Sequence, residues 1–231
     1  MHISVNLNIG SECYLPDGPV RVAEARRSVR LLHVPKDAGV AVLDSMVPEF
    51  LVTDSMVRRY LEIRPPQFRI TASFDRIIEE IERAYVLGHY FSALAASVVT
   101  IERMLNEARI KLHQHASSRI GKLWEKGPTN AWQDNIEALV CWGYLPADVG
   151  EELSAIYEIR RKYLHSDPID ALEAESRRCV DAAFRVLTEF IGFPERLFRL
   201  GSAIECLHPS DPLVEVFYKP ALISKDSNDA G

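Results

Sequence analysis

Arg160 and His165 are the residues whose types and spacing first suggest chemistry. They stand in the run Ile156-Tyr157-Glu158-Ile159-Arg160-Arg161-Lys162-Tyr163-Leu164-His165-Ser166-Asp167-Pro168. A guanidinium can bind a phosphate and stabilise a charged phosphorane, and an imidazole can transfer a proton near neutral pH. A basic pair spaced R-x4-H can therefore act on a phosphate ester. Five residues along a helix is roughly 140° of rotation, so the two side chains converge only if the helix unwinds after Leu164. Asp167-Pro168 encourages that unwinding, because the residue before a proline is biased away from the α conformation. The plainer reading of the same residues is structural. In it Arg160 bridges to an acid and His165 sits as a cation at a helix C-terminus, where it suits the dipole.

The element that must position this pair is an amphipathic helix. On a helical wheel Leu153, Ile156, Tyr157, Arg160 and Leu164 share one face, whereas Ser154, Glu158, Arg161 and Lys162 lie mostly outside it. Arg160 is thus expected to point inward and Arg161 outward. A guanidinium cannot shed its proton, so an inward one needs an acidic partner, a polar cleft or an anionic ligand. Glu102 is the candidate acid: it lies one helical turn from Val98 and three residues before Leu105, on or beside the buried stripe of an earlier helix.

The rest of the chain divides into three parts. Residues 2–9 alternate polar and apolar side chains, the period-2 pattern of a half-buried strand. Val20–Val22, Val29–Val34 and Ala38–Leu43 can each be read as short strands, although Ala23–Arg30 serves equally as a helix. Thr53 or Asp54 is expected to cap a helix through Glu62, which Ile63-Arg64-Pro65-Pro66-Gln67 then breaks. Beyond this boundary the periodicity becomes helical. Phe74, Ile77, Ile78, Ile81 and Tyr85 make one stripe that ends near Gly88; a longer helix from Tyr90 to about His115 turns Phe91, Leu94, Ala95, Val98, Ile101, Leu105, Ala108 and Leu112 inward. After a loop at Gly127–Asn130, Trp132, Ile136, Leu139 and Val140 form a shorter helix ending at Gly143. Asp148 then caps the helix that carries Arg160, and Asp167 with Pro168 starts a last one running to Gly192. The remainder holds one strand-like run, Leu213–Tyr218, and a tail at Lys225–Gly231 with the composition of disorder. The expected organisation is an N-terminal extension of mixed strand and helix over 1–69, a helical domain over 70–192 and a C-terminal extension over 193–231.

Composition narrows the function classes. A formal net charge of −6 argues against a broad electropositive surface and leaves room only for focal contact with nucleic acid. Cys13, Cys141, Cys179 and Cys206 are far apart and never form CxxC, so they are expected to be reduced thiols, with Cys141 and Cys179 buried. His113 and His115, two residues apart, point to different sides of a helix and have no neighbouring ligand set, so they read as a polar helix end and no metal or cofactor is expected. Arg26-Arg27, Arg58-Arg59 and Arg177-Arg178 read as solvated faces ahead of RNA contacts, and Trp132, Trp142 and Tyr144 as core ahead of base-stacking platforms. No apolar run approaches the roughly 20 residues of a membrane span, and the N-terminus lacks a basic region followed by a hydrophobic one, so a cytoplasmic location is the expectation.

The order of an amphipathic helix with an inward acid, Ala-Leu-Ala-Ala-Ser-Val-Val-Thr-Ile-Glu-Arg-Met-Leu, a connecting helix, then Ile-Arg-Arg-Lys-Tyr-Leu-His-Ser-Asp-Pro and a closing helix resembles the HEPN superfamily over about residues 70–192. The resemblance implies a mainly α fold, an antiparallel helical bundle, here with small mixed α/β N- and C-terminal extensions, and commonly a homodimer. It implies a metal-independent endoribonuclease whose R-x4-6-H motifs meet across the dimer, with Arg160 and His165 in the motif positions and Glu102 as the helix-borne acid. Arg161 stands where family members most often carry a small polar residue. The function expected by this resemblance is RNA cleavage in a toxin or defence system, with RNA and a protein partner or antitoxin as partners and no membrane. Attack of a ribose 2′-hydroxyl on the adjacent phosphate would be assisted by His165, with Arg160 holding the phosphate. The rival is a non-catalytic interaction module in which Glu102, Arg160 and His165 form a polar network that fixes helix register or a dimer interface.

Overall fold

The computed structural model describes residues 19–33, 51–63, 74–116, 131–165, 171–191, 197–200, 203–206 and 212–213. Among these, seven α-helices dominate: α1 (Pro19–Leu32), α2 (Asp54–Ile63), α3 (Asp75–Val86), α4 (Tyr90–Leu112), α5 (Trp132–Cys141), α6 (Ala147–His165) and α7 (Leu172–Ile191). A 3-10 turn, His113–His115, extends α4, and β1 (Leu197–Leu200) pairs antiparallel with β2 (Ala203–Cys206). The chain is a mainly α helical bundle.

Local chemistry explains most helix limits. Of the two capping candidates for α2 it is Thr53 that serves: its Oγ1 accepts the Met56 amide at 3.3 Å, while Asp54 opens the helix. At the end of α3 the His89 amide reaches back to the Ala84 carbonyl at 2.8 Å, a closure that needs the left-handed Gly88, φ +83. Gly143, φ +76, closes α5 in the same way, with Tyr144 donating to the Leu139 carbonyl at 3.0 Å.

Several expectations change. The segment read as short strands or a helix is helix α1, because Ala25 and Val29, four residues apart, are the positions it buries and Pro19 suits the first helical position. Phe91 is 51% exposed and Ala95 half-buried, so the inward face of α4 is rotated away from both. Asp148 lies inside α6 and does not cap it; the Gly150 amide bonds the Pro146 carbonyl at 3.0 Å. The last helix is described from Leu172, after Ala171 in the left-handed region, and the start expected at Asp167 and Pro168 lies outside the described residues. Cys141 is exposed while Cys179 is buried, and burial pushes the Cys179 thiol up to about 12. Pro212 and Leu213 are helical where a strand was expected to begin at Leu213, and the paired strands β1 and β2 had no counterpart in the pattern reading. The expected strands at 2–9 and 38–43, the breaker at 64–67, the loop at 127–130, Gly192, the run 214–218 and the tail lie outside the described residues.

The core is one cluster. Ala25 and Val29 of α1, Val57, Tyr60 and Ile63 of α2, and Leu213 belong to the same hydrophobic assembly as Ile81, Leu94, Ile101, Leu153 and Phe190. The N-terminal helices therefore fold back onto the bundle. α4 is central, touching α3, α5, α6 and α7, and it buries residues on more than one face: Ala93, Leu94, Ser97, Val98, Thr100, Ile101, Met104 and Leu105. α6 lies against α4, α5 and α7, which brings its inward face toward Glu102.

Candidate functional site

α4 and α6 bring Glu102 and Arg160 together. Arg160 Nη2 donates to Glu102 Oε2 at 3.3 Å, and the two side chains remain 25% and 21% exposed. The contact is single and longer than the roughly 2.7–2.9 Å of a well-formed charge-assisted bond. Arg160 Nε is buried and finds no hydrogen-bond partner. The guanidinium carbon lies 6.0 Å from the centroid of the Tyr157 ring, one turn earlier on α6. The inward Arg160 thus has the acidic partner its position requires, held loosely. Arg161 faces outward, 2.8 Å from Glu158 on the same helix, and Lys162 lies 4.9 Å over the ring of Tyr163.

His165 is the last residue of α6, five positions after Arg160 on the same helix. Its side chain lies outside the described residues, so the geometry that is shown is that of Arg160, Glu102 and Tyr157.

The neighbouring aromatic and polar side chains are well anchored. Trp132 of α5 is buried; its Nε1 donates to the Leu153 carbonyl at 3.0 Å, and its ring lies 6.0 Å from that of Tyr157. Beside it, Arg109 of α4 is wholly buried and donates through Nε to Asn135 Oδ1 at 2.5 Å, and Asn135 Nδ2 donates to Asn106 Oδ1 at 3.0 Å. Pattern reading missed this network. Its signal was present: Glu102, Asn106 and Arg109 are spaced four and three apart, one polar line along the side of α4 that meets α5 and α6.

The other sequence candidates have structural roles. Arg26 binds the Val52 carbonyl at 2.9 Å and Asp54 at 2.5 Å, joining α1 to the start of α2. Arg59 donates to the Val86 carbonyl at 2.8 Å and lies over the Tyr90 ring, tying α2 to the α3–α4 turn. Arg58, Arg177 and Arg178 pair with Glu62, Asp181 and Glu175 on their own helices. His113 packs edge-on against Trp142, and no group of three His, Cys, Asp or Glu side chains able to hold a metal occurs among the described residues. Trp132 and Trp142 are buried and Tyr144 half-buried, as core.

No family model, curated protein or solved structure matches the chain. No described helix is long and apolar enough to cross a membrane.

Proposed function

We infer that the chain is a HEPN-like protein that acts on RNA, a metal-independent endoribonuclease of a toxin or defence system in the cytoplasm. One observation carries this reading. Arg160 is aimed from an apolar helix face toward a partly open position and commits a single long bond from Nη2 to Glu102, keeping other Nη–H donors to offer to a phosphodiester. His165, at the end of the same helix, is the proton carrier in this scheme. The ribose 2′-oxygen bonds to phosphorus as the bond to the 5′-oxygen breaks. His165 takes the 2′-hydroxyl proton and gives it up to the departing 5′-oxygen, and Arg160 neutralises the charge that builds on the phosphorane. The products are a 2′,3′-cyclic phosphate and a 5′-hydroxyl. A homodimer is part of the reading, since Phe91 and Val99 present exposed apolar side chains eight residues apart on α4. A protein partner or antitoxin that masks the site is a further element of it. Incubation with mixed RNA in EDTA, beside an Arg160→Ala, His165→Ala variant, tests it: cleavage by the native protein alone is expected. Equal cleavage by both, or none by the native protein, would sink the enzyme reading.

A second reading is favoured by the bond that closes Arg160 against Glu102. In a non-catalytic interaction module this pair and the Arg109–Asn135–Asn106 network would serve only to fix the register of α4, α5 and α6. That reading expects Arg160→Ala to lower the melting temperature while no RNA is cut by either protein.

A further inference from the structure

We propose that Tyr157 is a positioning residue for the Arg160 guanidinium, holding it by its ring face ready for a phosphodiester. The proposal rests on the phosphate-gripping reading of Arg160 given above. An arginine side chain loses rotamer entropy when it is pinned, so a site that pins it beforehand binds its anion more tightly. Two contacts restrain Arg160, the Glu102 carboxylate at 3.3 Å and the Tyr157 ring at 6.0 Å from the guanidinium carbon. They behave differently when an anion arrives. Glu102 carries the same charge as a phosphate and competes with it for the same N–H edge, so that bond must loosen. The Tyr157 ring is neutral and meets the guanidinium through its π face, so its contact survives ligand binding.

The ring itself is held. Trp132 lies 6.0 Å from it at an interplanar angle of 39°. Trp132 is in turn fixed by the Nε1 bond to the Leu153 carbonyl, one turn before Tyr157 on α6. The order Trp132, Tyr157, Arg160 therefore runs from the buried core outward, and each member limits the movement of the next. α5 contributes to the site through Trp132 without touching the ligand.

The test is a double-mutant cycle on binding, read by fluorescence anisotropy with a labelled oligouridylate whose riboses carry 2′-O-methyl groups. This probe has no 2′-hydroxyl and cannot be cut. Tyr157→Leu is expected to weaken binding about two- to fivefold, and Tyr157→Phe, which keeps the ring, to bind as the native protein does. In an Arg160→Ala background the Tyr157→Leu change should have no further effect, because the residue acts only through the guanidinium. Should Tyr157→Leu melt below the assay temperature, Tyr157→Met fills the space beside Trp132 without an aromatic face and reads the same cycle. A weakening that persists in the Arg160→Ala background would mean a merely structural role and overturn the proposal. So would native-like binding by Tyr157→Leu, or Tyr157→Phe weakening as much as Tyr157→Leu. If the native protein does not bind the probe, or Arg160→Ala binds as well as native, the phosphate reading itself fails and this inference falls with it.

Discussion

At the scale of single residues, the polar side chains inside the bundle are of two kinds. Arg160, Glu102, Arg109, Asn135 and Asn106 are joined to one another or to named neighbours, whereas Tyr85 is buried with its hydroxyl lacking a hydrogen-bond partner. Burial, assisted by the negative charge of Glu62, raises the Tyr85 phenol from 10.0 to about 12. Its folded value lies above its unfolded one, so the stability tied to the neutral ring is complete below about pH 10 and is lost as the pH rises toward about 12. Tyr85→Phe should remove part of that alkaline loss. At neutral pH the change deletes an unpartnered hydroxyl and should leave stability unchanged or raise it by about 1 kcal/mol. Urea unfolding at pH 7 and pH 11 checks both; a clear loss at pH 7 would mean that the hydroxyl is partnered after all.

At the scale of elements, α6 is positioned from both sides. Toward α5 it approaches closely at Gly150, where an added Cβ would stand 2.9 Å from Val140 Cγ2 and 3.2 Å from Ile136 Cγ2. Toward α7 it is clamped by Arg185, which pairs with Glu152 at 2.6 Å and also with Asp148, whose carboxyl the guanidinium holds below its ordinary value. Gly150→Ala gains up to about 1 kcal/mol of helix propensity. The crowding of stiff, β-branched Val140 and Ile136 costs about 1–3 kcal/mol, so the expected sum is destabilising. At the start of α7, Ala171 has φ +70. A left-handed alanine costs about 1–2 kcal/mol, and a glycine gives back about 0.5–1 kcal/mol of that in chain entropy, so Ala171→Gly should stabilise slightly. Melting temperatures of opposite sign for these two variants are the outcome to look for; a stabilised Gly150→Ala would show that α5 and α6 part easily.

At the scale of the molecule, a single hydrophobic cluster joins residues from α1 through α7, so the helices before Pro65-Pro66 and those after it share one core. The exposed apolar residues on α4 mark the other feature of this scale. Phe91 at 51% and Val99 at 44% exposure lie along the helix that also carries Glu102. If this stripe joins two copies, Phe91→Asp should convert a dimer into a monomer by sedimentation analysis while the thermal melt stays within a few degrees, since an exposed side chain carries little of the fold. A dimer that persists in Phe91→Asp would place the contact elsewhere.

Wherever residues contact others close to them in the sequence, their periodicity was sufficient. The 3.6-residue stripes placed α3 through α6 to within a few residues, Gly88 and Gly143 marked where α3 and α5 stop, and the wheel position of Arg160 called for an acid, a polar cleft or an anionic ligand, of which Glu102 supplies the first. What sequence left open depends on partners distant along the chain. Helix or strand at residues 19–32 was decided by what Ala25 and Val29 pack against, and the outward turn of Phe91 by which faces of α4 its four neighbours cover. The burial of Arg109 beside Asn135, and the hold of Tyr157 and Trp132 on Arg160, belong to the same class. Hydrophobic period reports that a side chain is turned away from water; only the assembled helices decide which polar group meets it there, because that choice is a distance between elements and not a property of any one of them.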